Sequence, residues 1–421
     1  MYNGLSLDQA PPLSVPFRFF FTAPLFALLG SLSLMFQGPE LASSAMSGLA
    51  IGWIHLWSLG WLTMIMFGAF YQLIPVMIGG QVPWGWASKW VHGLLVFGVL
   101  SFWAYFTWPE LLSALWPLAS LGLAMLVFLS QTSLALYRVS QQSRPTLEAM
   151  RIATSSLAFA ALLGLSRLIE FLGGPGFVGD IRVAHLSVAL VGWVAMLLIG
   201  VSYHLLPMFY VCPPFDSVDA YRVIRLISIS LVAVTVGNLF ELGPGWIGAL
   251  SSFGLLGIGL YLYRFKECIS ARRRKKVDPA LRLFIAGLLW MATGVGTWAL
   301  SLSGVIDGTE VSVMVWLLGF GLSVTHSMSY KIVPFLIWFH RFSPYVGKQP
   351  TPTLADIFPV KRQQIDFWLL QVGLVLLFVG FLFQSELSLR VSGVFLFANH
   401  LLLLSSYVKA VQTKLQVPGT V

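Results

Sequence analysis

The chain has 421 residues, of which 57% are hydrophobic and only 10% charged, and its mean hydropathy is +0.83. Such a chain cannot cover itself with a polar surface, which excludes a soluble globular protein and points to an all-α, polytopic membrane protein. The net charge of +9 suggests a nucleic-acid partner only until its distribution is read, because the basic residues follow membrane topology.

In chain order, apolar runs long enough to cross a bilayer, about 20 residues each, are predicted at 17–36, 47–79, 89–107, 110–137, 146–172 and 180–211. Six more fall at 222–241, 245–266, 280–302, 309–340, 364–384 and 387–412. These are spans 1 to 12. The longest connection runs from His340 to Gln363, so no soluble domain is expected and 1–421 reads as a single transmembrane domain. Lys89, Arg138, Arg144, Arg222, Arg225, the run Arg272 to Lys276, Arg341, Lys348, Lys361, Arg362 and Lys409 flank the even-numbered turns or the C-terminus. The opposite side carries mainly acidic residues, among them Glu40, Glu110, Glu170, Asp180, Asp307 and Glu386, with Arg182 and Arg390 as exceptions. By the positive-inside rule both termini are expected in the cytoplasm of a bacterial inner-membrane protein, with lipid and not nucleic acid as the surrounding partner. The first 17 residues carry no basic n-region, so no cleavable signal is expected. Cys212 and Cys268 lie near cytoplasmic ends of spans, where thiols stay reduced, and neither a disulfide nor a covalent haem attachment motif is expected.

One pattern recurs three times. Gly60-Trp61, Tyr71 and Pro75 in span 2 match Gly192-Trp193, Tyr203 and Pro207 in span 6, and Gly319-Phe320, Tyr330 and Pro334 in span 10. Each Gly precedes its Tyr by eleven residues and each Tyr its Pro by four, spacings that stay on one side of an α-helix. The copies recur 132 and then 127 residues apart, which predicts three related blocks of about four helices, roughly 17–137, 146–266 and 280–412.

Each copy carries a histidine: His55, His185 and His326. Registered on their Tyr residues, His55 and His185 lie at one level, while His326 is about 18 Å deeper at ~1.5 Å per residue. His400 is expected near the outer level and His204 near the inner one, giving two layers. Counted at about 100° per residue, His185 and His326 fall on the repeated face and His55 about 140° away from it. Buried histidines bonded to backbone would account for any one of these, but neutral imidazole is also a haem and copper ligand, and bundle interiors build cofactor sites from facing helices. Gly60, Gly68, Gly192 and Gly200 would let a flat macrocycle approach the backbone, or would pack helices tightly. Arg167 reads either as an i,i+3 partner of Glu170 or as a basic group receiving a cofactor carboxylate. Lys331 is an unusual intramembrane charge that can snorkel.

The stretches HLWSLGWLTMIMFGAFYQLIPVMIGG and HLSVALVGWVAMLLIGVSYHLLPMFYV resemble the second and sixth helices of the haem-copper oxidase subunit I superfamily, especially its C-family oxidases. The NnrS-like haem-copper membrane proteins are a second family of similar size and topology. The resemblance implies the twelve-helix oxidase fold and a haem, of b type, with His55 in the place of the low-spin haem ligand and His185 or His204 in that of the helix 6 metal ligand. His326 and His400 then join the haem ligand set, with Arg167 on a haem carboxylate. Copper would be held by His55, His185, His204 or His326. The paired histidines of helix 7 are missing and span 10 has one histidine where the oxidases have two, so oxygen reduction of the oxidase type is not expected. The resemblance thus implies membrane electron transfer or a redox, oxygen or nitric oxide response, with a respiratory redox partner or gaseous ligand. A haem or copper transporter or chaperone, or an assembly scaffold, is the alternative.

Overall fold

A computed structural model describes residues 9–44, 47–139, 144–176, 181–273, 275–304 and 309–415. Among these, all regular structure is helical and twelve helices are long and apolar enough to cross a membrane. They are Ser14–Ser43, Gly48–Ile78, Gly85–Thr107, Leu115–Tyr137, Pro145–Phe171, Arg182–Tyr210, Ser217–Leu239, Gly245–Ser270, Pro279–Ser301, Val311–Arg341, Val360–Phe383 and Glu386–Gln412. The chain is a multi-pass membrane protein. Asp180 and Asp307, two of the acidic residues in the charge pattern, lie outside the described residues.

Helix starts are written locally. The Ser47 side chain accepts from the Ala50 amide, Asp216 caps span 7 through the Asp219 amide, and Asp278 caps span 9 through the Leu281 amide at 2.9 Å. Each satisfies an amide that the first turn leaves without an intrahelical acceptor.

The threefold pattern has a backbone counterpart. Spans 2, 6 and 10 each open into a π-helical stretch, at Leu56–Thr63, Val188–Ala195 and Val315–Leu322. These begin 132 and then 127 residues apart, the offsets of the sequence repeat. Because i→i+5 bonding puts more residues in each turn, 100° per residue does not hold through these stretches. The directions predicted for His55 relative to Gly60, and for His185 relative to Gly192, are therefore corrected: π geometry sets them.

The same spans are the most enclosed. Spans 2 and 10 are buried over 89% of their apolar stretch and span 6 over 61%, against 28% to 56% for the other nine.

The chain divides into two compact units. One, built on Phe70–Lys276 and Ala292–Trp316, holds a core of Ala160, Leu163, Ile181, Ala184, Val188 and Leu231. In it the repeated Tyr71 donates to Gln131 at 2.7 Å, and the Gln131 amide in turn donates to the Pro83 and Trp84 carbonyls. The other is built on Pro11–Ala69, Val277–Met291 and Leu317–Val421. Here span 10 is tied to the start of span 9 by Ser327, donating to the Ala280 carbonyl at 2.7 Å, and by an ion pair of Lys331 with Asp278. That pair is where the snorkelling lysine ends.

Candidate functional site

The second unit encloses a chain of titratable groups inside the membrane spans. His326, on span 10, sets its Nδ1 3.2 Å from Asp366 Oδ2 on span 11 and its Nε2 3.3 Å from His400 Nε2 on span 12. His400 closes the series with Nδ1 2.7 Å from the Leu396 carbonyl. The Tyr330 hydroxyl, the repeated tyrosine of the third copy, donates to the same Asp366 oxygen. Asn399 donates to the Asp366 backbone carbonyl at 2.9 Å. His326 and His400 are wholly buried and Asp366 is 2% exposed.

Tryptophans from span 2 fix the rings. Trp61 donates its indole N–H to Thr325 at 3.0 Å, stacks on His326 with centroids 4.8 Å apart, and meets His400 edge-on at 5.0 Å. Trp57 meets His400 edge-on from another side at 5.5 Å.

The bonding dictates the proton count. A carbonyl only accepts, so His400 carries a proton on Nδ1. If His400 is neutral, its Nε2 accepts and His326 donates to it. His326 Nδ1 then either accepts from an Asp366 carboxylic acid or, as imidazolium, donates to an Asp366 carboxylate. A third form moves the proton on, so that His400 is the imidazolium and donates from Nε2. All three forms contain one movable proton and no net charge, which avoids the penalty of several kcal/mol for an uncompensated buried ion. Among the described residues, Asp366 Oδ1, Asn399 Oδ1 and the Trp57 indole nitrogen are buried without a protein hydrogen-bond partner.

No known family model matches the chain, and no curated protein shows a significant match to it.

The sequence-predicted residues separate accordingly. His326 and His400 come together, which corrects the placement of His400 in an outer layer. Span 12 begins at Glu386, and fourteen residues of helix bring His400 to the level of His326. His55 turns its Nδ1 to its own helix, 2.7 Å from the Ile51 carbonyl. His185 lies in the other unit, its Nδ1 3.0 Å from the Ala160 carbonyl of span 5. Gly164 permits that approach, since a Cβ there would come 3.1 Å from the His185 ring. His204 is half-buried on the same span as His185, about 28 Å along it at ~1.5 Å per residue, too far to share an ion. Arg167 pairs with Glu170 and is 53% exposed, so the i,i+3 alternative holds and no cofactor carboxylate is needed to satisfy it. Asp366 is the member of this buried cluster that the sequence reading missed. Its signal was a carboxylate two residues inside the predicted start of span 11, and six inside the observed one.

The repeated glycines do not present a cradle for a haem. A Cβ at Gly60 would lie 2.6 Å from Phe26 and one at Gly68 2.8 Å from Phe19, while Gly192 is filled by Ser156 and Gly200 by Ala149. The spacing of His326 and His400 is not that of two axial ligands on one haem. Axial imidazoles stand on opposite faces of the ring, about 4 Å apart for two metal–nitrogen bonds of ~2 Å. Here the nitrogens are 3.3 Å apart, and the two rings pack against the indoles of Trp57 and Trp61. Among the described residues no group of three or more His, Cys, Asp and Glu side chains is disposed to hold a metal ion.

Proposed function

We propose that this chain is a proton-conducting integral membrane protein in which Asp366, His326 and His400 form the buried stretch of a proton path across the membrane, from one end of spans 11 and 12 to mid-membrane. The observation that carries the reading is the unbroken series of three buried titratable side chains within membrane spans, since intramembrane carboxylates and imidazoles in series are the parts of proton relays. Asp366 is six residues from the start of span 11, about 9 Å, and His400 twelve from the end of span 12, about 18 Å, at ~1.5 Å per residue. The charge asymmetry of the loops supports placing that end, with both termini, on the cytoplasmic side of a bacterial inner membrane.

The experiment is reconstitution of purified protein into liposomes with an entrapped pH-sensitive dye and an imposed potassium-diffusion potential. Proton entry above that of protein-free liposomes is expected, falling to background in His326→Gln, whose amide cannot relay. Equal flux in wild type and variant would remove the relay.

A second reading is favoured by the His326–His400 separation itself. Two imidazoles on one tetrahedral ion, with bonds of ~2.0–2.1 Å, place their nitrogens about 3.3 Å apart. The Nδ1 atoms, held by Asp366 and the Leu396 carbonyl, have the outer partners that ligating histidines use. This copper-handling alternative needs further ligands from a second molecule or from cargo, and metal analysis of the same preparation decides it. The redox reading drawn from the oxidase resemblance would require haem, and an absorbance spectrum tests it directly.

A further inference from the structure

Outside the relay, the two cysteines of the chain meet. Span 6 ends at Tyr210; the next residue, Val211, turns the backbone sharply with a left-handed φ of 52°, and Cys212 follows. Cys268 lies in the last turn of span 8, with Cys212 Sγ and Cys268 Sγ 2.6 Å apart. A second connection holds the two segments in register, because the Arg273 amide donates to the Val211 carbonyl at 3.1 Å. Sulfur atoms this close need to move only a few tenths of an ångström to reach the ~2.05 Å of a disulfide. We propose that Cys212 and Cys268 are a reversible thiol–disulfide pair, a modification site that clamps the end of span 6 to the end of span 8 when a small disulfide of the glutathione class oxidises it. Both cysteines are free in this structure.

Cys212 is the attacking thiol. It is the more exposed of the two, and the Cys268 thiol donating to it, with Arg272 adding positive charge nearby, holds it below the usual thiol range. The Cys212 thiolate displaces one small thiolate from the reagent and forms a mixed disulfide. Cys268 then loses its proton and attacks Cys212 Sγ, expelling the second small thiol. Two protein thiols lose two protons and two electrons, and the small disulfide takes them up as two thiols.

The chain has only these 2 cysteines, so thiol counting reads the pair directly. Purified full-length protein in detergent is equilibrated in glutathione buffers of graded ratio, acid-quenched, denatured and labelled with a polymer-linked maleimide. Wild type is expected to pass from doubly labelled to unlabelled in one two-electron step, without intermolecular dimer and without added glutathione mass. Cys212→Ser and Cys268→Ser should each stay singly labelled, or carry one glutathione, at ratios where wild type is fully oxidised. Wild type that remains doubly labelled in oxidised glutathione, gains two glutathiones or cross-links between molecules would overturn the proposal.

Discussion

Replacing Asp366 separates its structural role from its proton-carrying role. In the neutral form of the chain, the carboxylic acid donates to His326 Nδ1, while the same oxygen receives the Tyr330 hydroxyl. In Asp366→Asn, the amide nitrogen at that position can donate to both, with the tyrosine hydroxyl turning to accept. One hydrogen bond is made less well, costing about 1 kcal/mol. Asp366→Ala leaves the imidazole nitrogen and the phenol unmatched inside the membrane, at about 1–3 kcal/mol for each, or roughly 2–6 kcal/mol in all. An amide cannot release the proton, however, and a positioned proton-transfer group is worth about 10²–10⁴ in rate. Thermal melting in detergent should therefore rank wild type slightly above Asn and both well above Ala. Dye-reported proton flux in liposomes should fall at least ~100-fold in the Asn variant. Wild-type flux in a well-folded Asn variant, or an Asn variant as unstable as Ala, would refute the proton count on which the relay rests.

Gly60→Ala places a Cβ 2.6 Å from Phe26 and should cost about 1–3 kcal/mol by overpacking, read as a lower melting temperature, whereas Gly248→Ala, with open space around it, should not. In the loop before span 11, Asp356 accepts from the Thr353 amide and hydroxyl at 2.8 Å each, and the amide bond above all holds its carboxyl below the usual value. A depressed carboxylate pKa contributes stability above the ordinary Asp range of about 3.9, lost as pH falls through the folded value. Limited proteolysis at 342–359 should accordingly rise on acidification, and Thr353→Ala should show the same susceptibility at neutral pH. Reporter fusions after Gln37 should read outside and those after Arg144 and Lys275 cytoplasmic; the reverse would invert the end from which the relay opens.

The twelve spans were legible in the sequence because crossing hydrocarbon demands a long apolar run with its backbone bonds made within the helix, and each predicted run has its helix. The repeat was legible too, since Gly, Tyr and Pro kept their spacing in three copies, and the glycines proved to be the notches that Phe26, Phe19, Ser156 and Ala149 fill. Which histidines meet was not legible. Depth was counted along helices taken as uniform α, but π stretches interrupt all three marked spans, and His400 lies midway along span 12, fourteen residues from its start, not near its outer end. Asp366 and Tyr330 are separated by 36 residues and Cys212 and Cys268 by 56. No local spacing encodes such pairs, because each depends on how neighbouring helices rotate and slide against one another, and side-chain packing across the helix–helix interfaces sets that.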